Sequence, residues 1–257
     1  MLRPYKIGIA GCGVGGLAAA ALLRQSGHDV TLIDQFHEPA PVGSGLVIQP
    51  VGQDVLRHVG AYERAKDLGT PIYHMMGYEA ATKRKVLDVK YGDPGKATFG
   101  LGIHRASLFE ALYKAALAQN PRLVVGQVVT ETTLQDEGRF ILCSDGTQHG
   151  PFDLVIDAAG ARSPLSPLSG KALAFGALWG TVDWPQDFNL PAHHLTQTYR
   201  RANKMIGALP IGTLPGGDKL KTAIFWSLPR HDYTAWRDAP LQNWKDEVTR
   251  LWPEFAP

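Results

Sequence analysis

The apolar positions of this chain change period along its length, and the changes mark its elements. Lys6-Ile7-Gly8-Ile9-Ala10 is an apolar run of strand length, followed without a spacer by Gly11-Cys12-Gly13-Val14-Gly15-Gly16. Leu17 to Gln25 is rich in Ala and Leu, the strongest helix formers, until Ser26-Gly27 stops it. Val30-Thr31-Leu32-Ile33 is a second apolar strand ending in Asp34, which completes a βαβ unit. A loop from Glu38 through Pro39 to Gly45 leads into Leu46 to Pro50, and helices are predicted over Gln53 to Val59 and Tyr62 to Leu68. From Pro71 to Val89 the runs Ile72 to Glu79 and Lys85 to Val89 are strand-like and fit an antiparallel sheet outside the first domain.

Ser107-Leu108-Phe109-Glu110 matches a capping box and predicts a helix to Gln119, ended by Asn120-Pro121. Strands are predicted over Leu123 to Val125, Val128 to Leu134 and Arg139 to Ser144, with turns at Asp136-Glu137-Gly138 and Asp145-Gly146. Phe152 to Asp157 is continuously apolar between two acids, which predicts one buried strand returning the chain to the parallel sheet. Four further strands follow, Ala174 to Val182, His194 to Arg200, Lys204 to Pro210 and Lys219 to Leu228. A last helix has Asp238 as cap, Pro240 in its first turn, and Leu241, Trp244, Val248, Leu251 and Trp252 at helical spacing.

The glycines give the first unit its chemistry. Gly11, Gly13 and Gly16 form Gly-x-Gly-x-x-Gly between a strand and a helix. Gly11 permits the tight turn, Gly13 lets the backbone approach a pyrophosphate, and Gly16 lets helix and strand pack closely. The helix N-terminus offers unpaired N–H groups to the anion. Asp34 lies eighteen residues after Gly16, where a carboxylate accepts hydrogen bonds from ribose hydroxyls and repels a 2′-phosphate. The competing reading is a secretory signal, with Arg3 and Lys6 as its basic start and Ala18-Ala19-Ala20 as its cleavage site. Five glycines between Gly8 and Gly16 argue against that helix, and the segment is too short for a membrane span of about twenty apolar residues.

Charge and composition narrow the partner. The 257 residues hold 26 basic and 24 acidic side chains, and no basic run exceeds Lys83-Arg84-Lys85, so nothing electrostatic points to nucleic acid or an anionic membrane. The expected partner is a small molecule. Two cysteines make no disulfide framework, and without a convincing signal or lipidation motif they point to a reducing cytoplasm. All six tryptophans lie between Trp179 and Trp252, so the second half builds something different from the first.

Other candidates have ordinary readings. Tyr62 and Lys66 have the Tyr-x-x-x-Lys spacing of short-chain dehydrogenases but come too early in the chain, and an i, i+4 pair on a helix surface suffices. Adjacent His193 and His194 face opposite sides of a strand, against a metal pair. Cys12 lies at a helix N-terminus, which lowers a thiol pKa, though a small filler between glycines is the simpler role. No metal site and no general base stand out.

Taken together the motifs resemble the aromatic-ring hydroxylase family of FAD-dependent monooxygenases, the single-component type related to p-hydroxybenzoate and salicylate hydroxylases. The resemblance covers essentially the whole chain. It rests on the glycine turn, Asp34, His104-Arg105-Ala106-Ser107-Leu108, and Asp153-Leu154-Val155-Ile156-Asp157-Ala158-Ala159-Gly160-Ala161-Arg162-Ser163. The implied fold is α/β: a Rossmann-like FAD-binding domain (1–70 and 101–170) with a mixed or antiparallel-sheet substrate domain (71–100 and 171–257). The implied cofactor positions are Gly11, Gly13, Val14, Gly15, Gly16, Asp34, Gln35, Arg105, Val128, Asp157 and Gly160. Arg105 would meet the FAD pyrophosphate bidentately, and the loop from Gly43 to Gln49 would run beside the isoalloxazine ring.

Three departures stand out. The family's Asp before the glycine is Ala159 here, and Asp157 is the nearest acid, on the same face if the strand continues. Ser44 stands where some members carry an arginine for the cofactor. The second flavin motif, Gly-Asp-Ala-Ala-His, has no counterpart, since Gly92-Asp93-Pro94 and Gly217-Asp218-Lys219 lack the flanking strand, so the resemblance implies a chain cut short in its substrate domain. The implied activity is hydroxylation of a small aromatic with NAD(P)H and O₂ through a flavin hydroperoxide. Two alternatives stand beside it: an FAD-dependent reductase or dehydrogenase without oxygenation, and a non-catalytic dinucleotide-binding fragment. Substrate residues would come from scattered strands with no local signature.

Overall fold

The computed structural model describes residues 3–38, 40–41, 43–95, 98–167, 172–185 and 190–255; Pro39 of the predicted loop lies outside them. In chain order the elements are β1 (Lys6–Ala10), α1 (Val14–Gln25), β2 (Asp29–Ile33), β3 (Gly45–Ile48), α2 (Pro50–Val59), α3 (Tyr62–Leu68), β4 (Thr70–Ile72), β5 (His74–Glu79), β6 (Lys85–Lys90) and β7 (Gly100–His104). Then come α4 (Arg105–Leu117), β8 (Arg122–Val124), β9 (Val129–Gln135), β10 (Gly138–Cys143), β11 (Gln148–Phe152), β12 (Leu154–Asp157), β13 (Phe175–Asp183), β14 (His194–Arg200), β15 (Lys204–Pro210), β16 (Lys221–Pro229), α5 (Tyr233–Asp238) and α6 (Leu241–Leu251). They form two compact units, the first of Met1–Val42, Gln53–Ala65 and Leu108–Gly170, the second of Gly43–Gly52, Lys66–Ser107 and Lys171–Pro257.

The first unit is built on a parallel sheet of order β12-β1-β2-β8. β1 is central, with Ile9 paired to Leu32 of β2 and Ile156 of β12. Ile7, Ile9, Val30, Leu32 and Ile33 are all buried, which is why these strands read as apolar runs rather than alternating ones. A three-stranded antiparallel sheet, β11-β10-β9, packs against them through Ile33, Ile141, Cys143 and Phe152. Gly8 is part of that contact, because a Cβ there would lie 2.7 Å from the Phe152 ring.

The second unit is a six-stranded mixed sheet, β13-β16-β15-β14-β5-β6, with a small antiparallel sheet β3-β7-β4. Within the large sheet β14 and β5 are parallel, and the other described pairs are antiparallel. β16 shows the alternation of a strand with two different faces. Trp226 and Leu228 join Val248, Leu251 and Trp252 in one cluster, while Ala223 and Phe225 join Ile72, Leu195, Leu209 and Ile211 in another. Burying each large apolar side chain contributes about 1.5–3 kcal/mol, so α6 is held by Val248 and Leu251, with Trp252 just past its end.

Three sequence expectations need correction. The run Phe152 to Asp157 is not one buried strand. It breaks at Asp153, which pairs with Arg3 at 2.8 Å and accepts the Lys6 N–H, so β11 ends in one sheet and β12 begins in another. β12 is an edge strand whose Leu154 is exposed, not buried. The capping box is also absent: α4 starts two residues earlier, at Arg105, with His104 Nδ1 accepting the Ala106 N–H at 3.0 Å. Ser107 instead donates to Thr213 O, and Glu110 is drawn to Arg64 and Lys114. Asp238 caps nothing; it ends α5 beside Arg237, and Pro240 precedes α6.

Candidate cofactor site

The glycine turn divides into two pairs. Gly11 has φ +102°, and a Cβ there would lie 2.4 Å from Ala158 O; a Cβ on Gly16 would lie 2.0 Å from Gly11 O. Packing therefore requires glycine at both. Gly13 and Gly15 are the opposite case, with nothing within 4 Å of where a Cβ would stand. Gly13 caps α1 in extended backbone, no side chain caps the helix, and its first turn has no acidic residue. The first N–H groups of α1, from Val14 onward, thus meet open space with the positive end of a helix dipole behind them.

Asp34 closes the other end of β2. It is buried, its Oδ2 accepts the Cys12 N–H at 2.6 Å, and its Oδ1 accepts the Phe36 N–H at 2.9 Å. One carboxylate so ties the strand end to the glycine turn, with a second lone pair left on each oxygen. Gln35 follows it, exposed. Cys12 departs from the expectation for a helix N-terminus. Burial first, and the Asp34 charge second, push its thiol up to about 12. The dipole is outweighed, and Cys12 is an inert filler.

The exit from β12 lies against the same turn, through Ala158 and Gly11. The strand ends at Asp157, so position 159 is not on a continuing strand face. Asp157 Oδ1 accepts the Ala159 N–H at 3.1 Å and the Ser163 hydroxyl at 2.7 Å, which makes it the anchor of the turn that follows. Gly160 in that turn has φ +86° and open space before it. Val128 is exposed in the loop before β9, its carbonyl accepting the Ser144 N–H at 2.8 Å.

Arg105 belongs to the second unit. Its N–H donates to Ser44 O at 2.7 Å, and its side chain lies across Gly43, where a Cβ would be 2.9 Å from Arg105 Cδ. Gly43 has φ +107°, a further reason for glycine. Ser44 is buried, with its hydroxyl 2.6 Å from Thr181 Oγ1 of β13. That link joins positions 137 apart, so no local signal could have revealed it. His104, beside Arg105, is held neutral to lower pH by burial and then by Lys221. Among the described residues no cluster could hold a metal ion, and no helix is long and apolar enough to cross a membrane.

An uncapped helix start behind Gly-x-Gly-x-x-Gly, with an acid locked at the end of the second parallel strand, defines a dinucleotide-binding fold. The residues fit such a group, since the cradle before Gly13 and Gly15 is open where a side chain would fill it. Residues 4–145, more than half of the chain, match the family described as FAD binding domain, and the chain belongs to that family. It is 28% identical over 170 residues to 6-hydroxynicotinate 3-monooxygenase of Pseudomonas fluorescens, covering 64% of this chain and 43% of that protein. Against 3-hydroxybenzoate 6-hydroxylase of Klebsiella oxytoca it is 25% identical over 205 residues, 75% and 51% of the two chains. It therefore spans about half of these curated relatives or less. Tetrameric 2-methyl-3-hydroxypyridine-5-carboxylic acid oxygenase has the same fold, with TM-score 0.78 and 17% identity over 100% of this chain and 66% of that one. The fold is thus α/β and p-hydroxybenzoate hydroxylase-like, as the motifs implied.

Proposed function

We propose that this chain carries the cofactor-binding part, and a portion of the substrate part, of an FAD-dependent monooxygenase that hydroxylates a small aromatic compound with NAD(P)H and O₂. The observation that carries the reading is the open, uncapped start of α1 beside Gly13 and Gly15, tied through Cys12 to Asp34. In this reading the N–H groups of Val14, Gly15 and Gly16 hold the pyrophosphate, and the free lone pairs of Asp34 take the ribose hydroxyls. Gln35 and Val128 border the adenosine end, Asp157 and Gly160 shape the turn near the flavin, and Arg105 adds a cation for phosphate. Residues 1–70 and 101–170 serve FAD, and 71–100 and 171–257 serve the substrate. Bound FAD supplies the redox chemistry with NAD(P)H and O₂; the chain's part is to bind, orient and exclude water. Two free, buried thiols support a reducing, cytoplasmic setting.

The named relatives act on hydroxylated aromatic acids, by their names, and support an aromatic substrate. The test is the visible spectrum of the purified chain with and without added FAD, followed by NAD(P)H oxidation and O₂ uptake with candidate hydroxyaromatics and free peroxide measured alongside. Bound flavin bands with substrate-dependent O₂ uptake are expected. Failure to hold FAD in excess would end the reading for this chain.

A further inference from the structure

The six-stranded sheet of the second unit has one face whose centre is apolar, with Met75, Leu195, Met205, Leu209 and Phe225 in one cluster. The strand β3 packs on it, since Val47 touches that cluster and a Cβ on Gly45 would lie 2.3 Å from Ile211. Two polar side chains interrupt this face. Gln197 and Tyr199 lie two and four residues beyond Leu195 on β14 and so point the same way. Gln197 is only 8% exposed. Tyr199 is held where it is by Gly77, because a Cβ there would come within 2.6 Å of its ring, and Gly207 makes the same room for the Phe225 ring.

The Tyr199 hydroxyl donates to Gln197 Oε1. In this arrangement the Gln197 oxygen faces the Tyr199 hydroxyl and the NH₂ group is turned the other way. Among the described residues Gln197 Nε2 donates to nothing, and it is not sealed off as the indole nitrogens of Trp226, Trp236 and Trp244 are. The side chain is nine-tenths buried while its NH₂ group stays reachable, so two unused donors stand at the apolar face for any acceptor that reaches them. A group that only donates selects an acceptor, and an anionic oxygen is the strongest one.

We propose that the Gln197 carboxamide hydrogen-bonds an anionic oxygen, carboxylate or phenolate, of the aromatic substrate, and that Tyr199 is the positioning residue that sets the amide. The inference rests on the monooxygenase reading above. An apolar surface with a few fixed polar groups is how small-molecule sites combine affinity with orientation, and Gln197 supplies the orienting contact.

The test is calorimetric titration of the chain, with and without FAD, using 3-hydroxybenzoate and 6-hydroxynicotinate as probes. At least one acid is expected to bind, with Kd raised about 10- to 100-fold in Gln197→Met, the range for a hydrogen bond to a charged group. Gln197→Glu, of equal size, should lose at least as much through like-charge repulsion. Tyr199→Phe should raise Kd about 3- to 10-fold alone and have no further effect in the Gln197→Met background, a non-additivity that a merely structural tyrosine would not produce. Thermal midpoints verify that each variant is folded. Wild-type Kd values in both Gln197 variants, or binding of neither acid by the unsubstituted chain, would overturn the inference. The flavin spectrum separates the two claims: acid binding that depends on Gln197 without FAD binding removes the functional reading and leaves this contact standing.

Discussion

The two kinds of glycine in the turn predict opposite phenotypes for the same substitution. In Gly16→Ala the new methyl would stand 2.0 Å from Gly11 O, a backbone atom that cannot swing away. Overpacking of this kind costs about 1–3 kcal/mol. In a chain of this size about 1 kcal/mol corresponds to about 2–4 °C, so the thermal midpoint should fall by several degrees. Gly13→Ala meets nothing within 4 Å, and Gly13 has φ −80° and ψ −174°, extended backbone that alanine adopts freely. Its weaker capping and its less flexible unfolded chain act in opposite directions at about 0.5–1 kcal/mol each. Stability should therefore stay within about 0.5 kcal/mol. The methyl would instead occupy the space before the helix start, and a lost charge-assisted contact there costs about 1.5–3 kcal/mol, roughly 10- to 100-fold in FAD affinity. Thermal melting and flavin titration on both variants give the answer. Unchanged FAD affinity in Gly13→Ala, or an unchanged midpoint in Gly16→Ala, would refute this division of the turn.

Three further outcomes are expected. With burial holding Cys12 at about 12 and raising Cys143 as well, neither thiol should react with iodoacetamide in the folded chain at pH 8, and a mass shift before unfolding would contradict this. Glu110 is held below the usual carboxylate range, first by Arg64 and then, after the opposing effect of burial, by Lys114. Its depressed folded pKa means the contribution, about 0.3–1 kcal/mol for so exposed a network, is present above the unfolded value and lost as pH falls through the folded one. The difference in midpoint between the native chain and Glu110→Gln should shrink between pH 6 and pH 3. Ser44→Ala removes the hydroxyl from Thr181 and should cost about 0.5–1.5 kcal/mol, read as a lower midpoint or denaturant concentration at half-unfolding.

What the sequence made legible was local. β14 and β15 fall on the residues expected, His194–Arg200 and Lys204–Pro210, because each is a short run of strand-compatible residues and charged residues mark the turn between them. The first βαβ unit was legible for the same reason, although α1 begins at Val14, inside the glycine motif rather than after it. The errors came where a distant partner decides. Asp153 breaks an apolar run because Arg3 and the Lys6 N–H claim its carboxylate, 150 and 147 residues away in sequence. Ser107 looks like a cap, but Thr213 O takes its hydroxyl. The motif identified Gly16 as the packing position and Gly13 as the open one, yet not that Gly11 also answers to packing, against Ala158 O, or that Gly15 faces open space. The Ser44–Thr181 link and the apolar surroundings of Gln197 depend on sheet assembly and leave no spacing to read.

The hydrogen bond from the Cys12 N–H to Asp34 also bears on kinetics. It fixes the turn against the strand end before any ligand arrives, so a dinucleotide that docks there spends little free energy on ordering its receptor. A site already set in shape admits good and poor ligands at similar rates. Discrimination among nucleotides then lies in residence time, with the better match distinguished by how slowly it leaves.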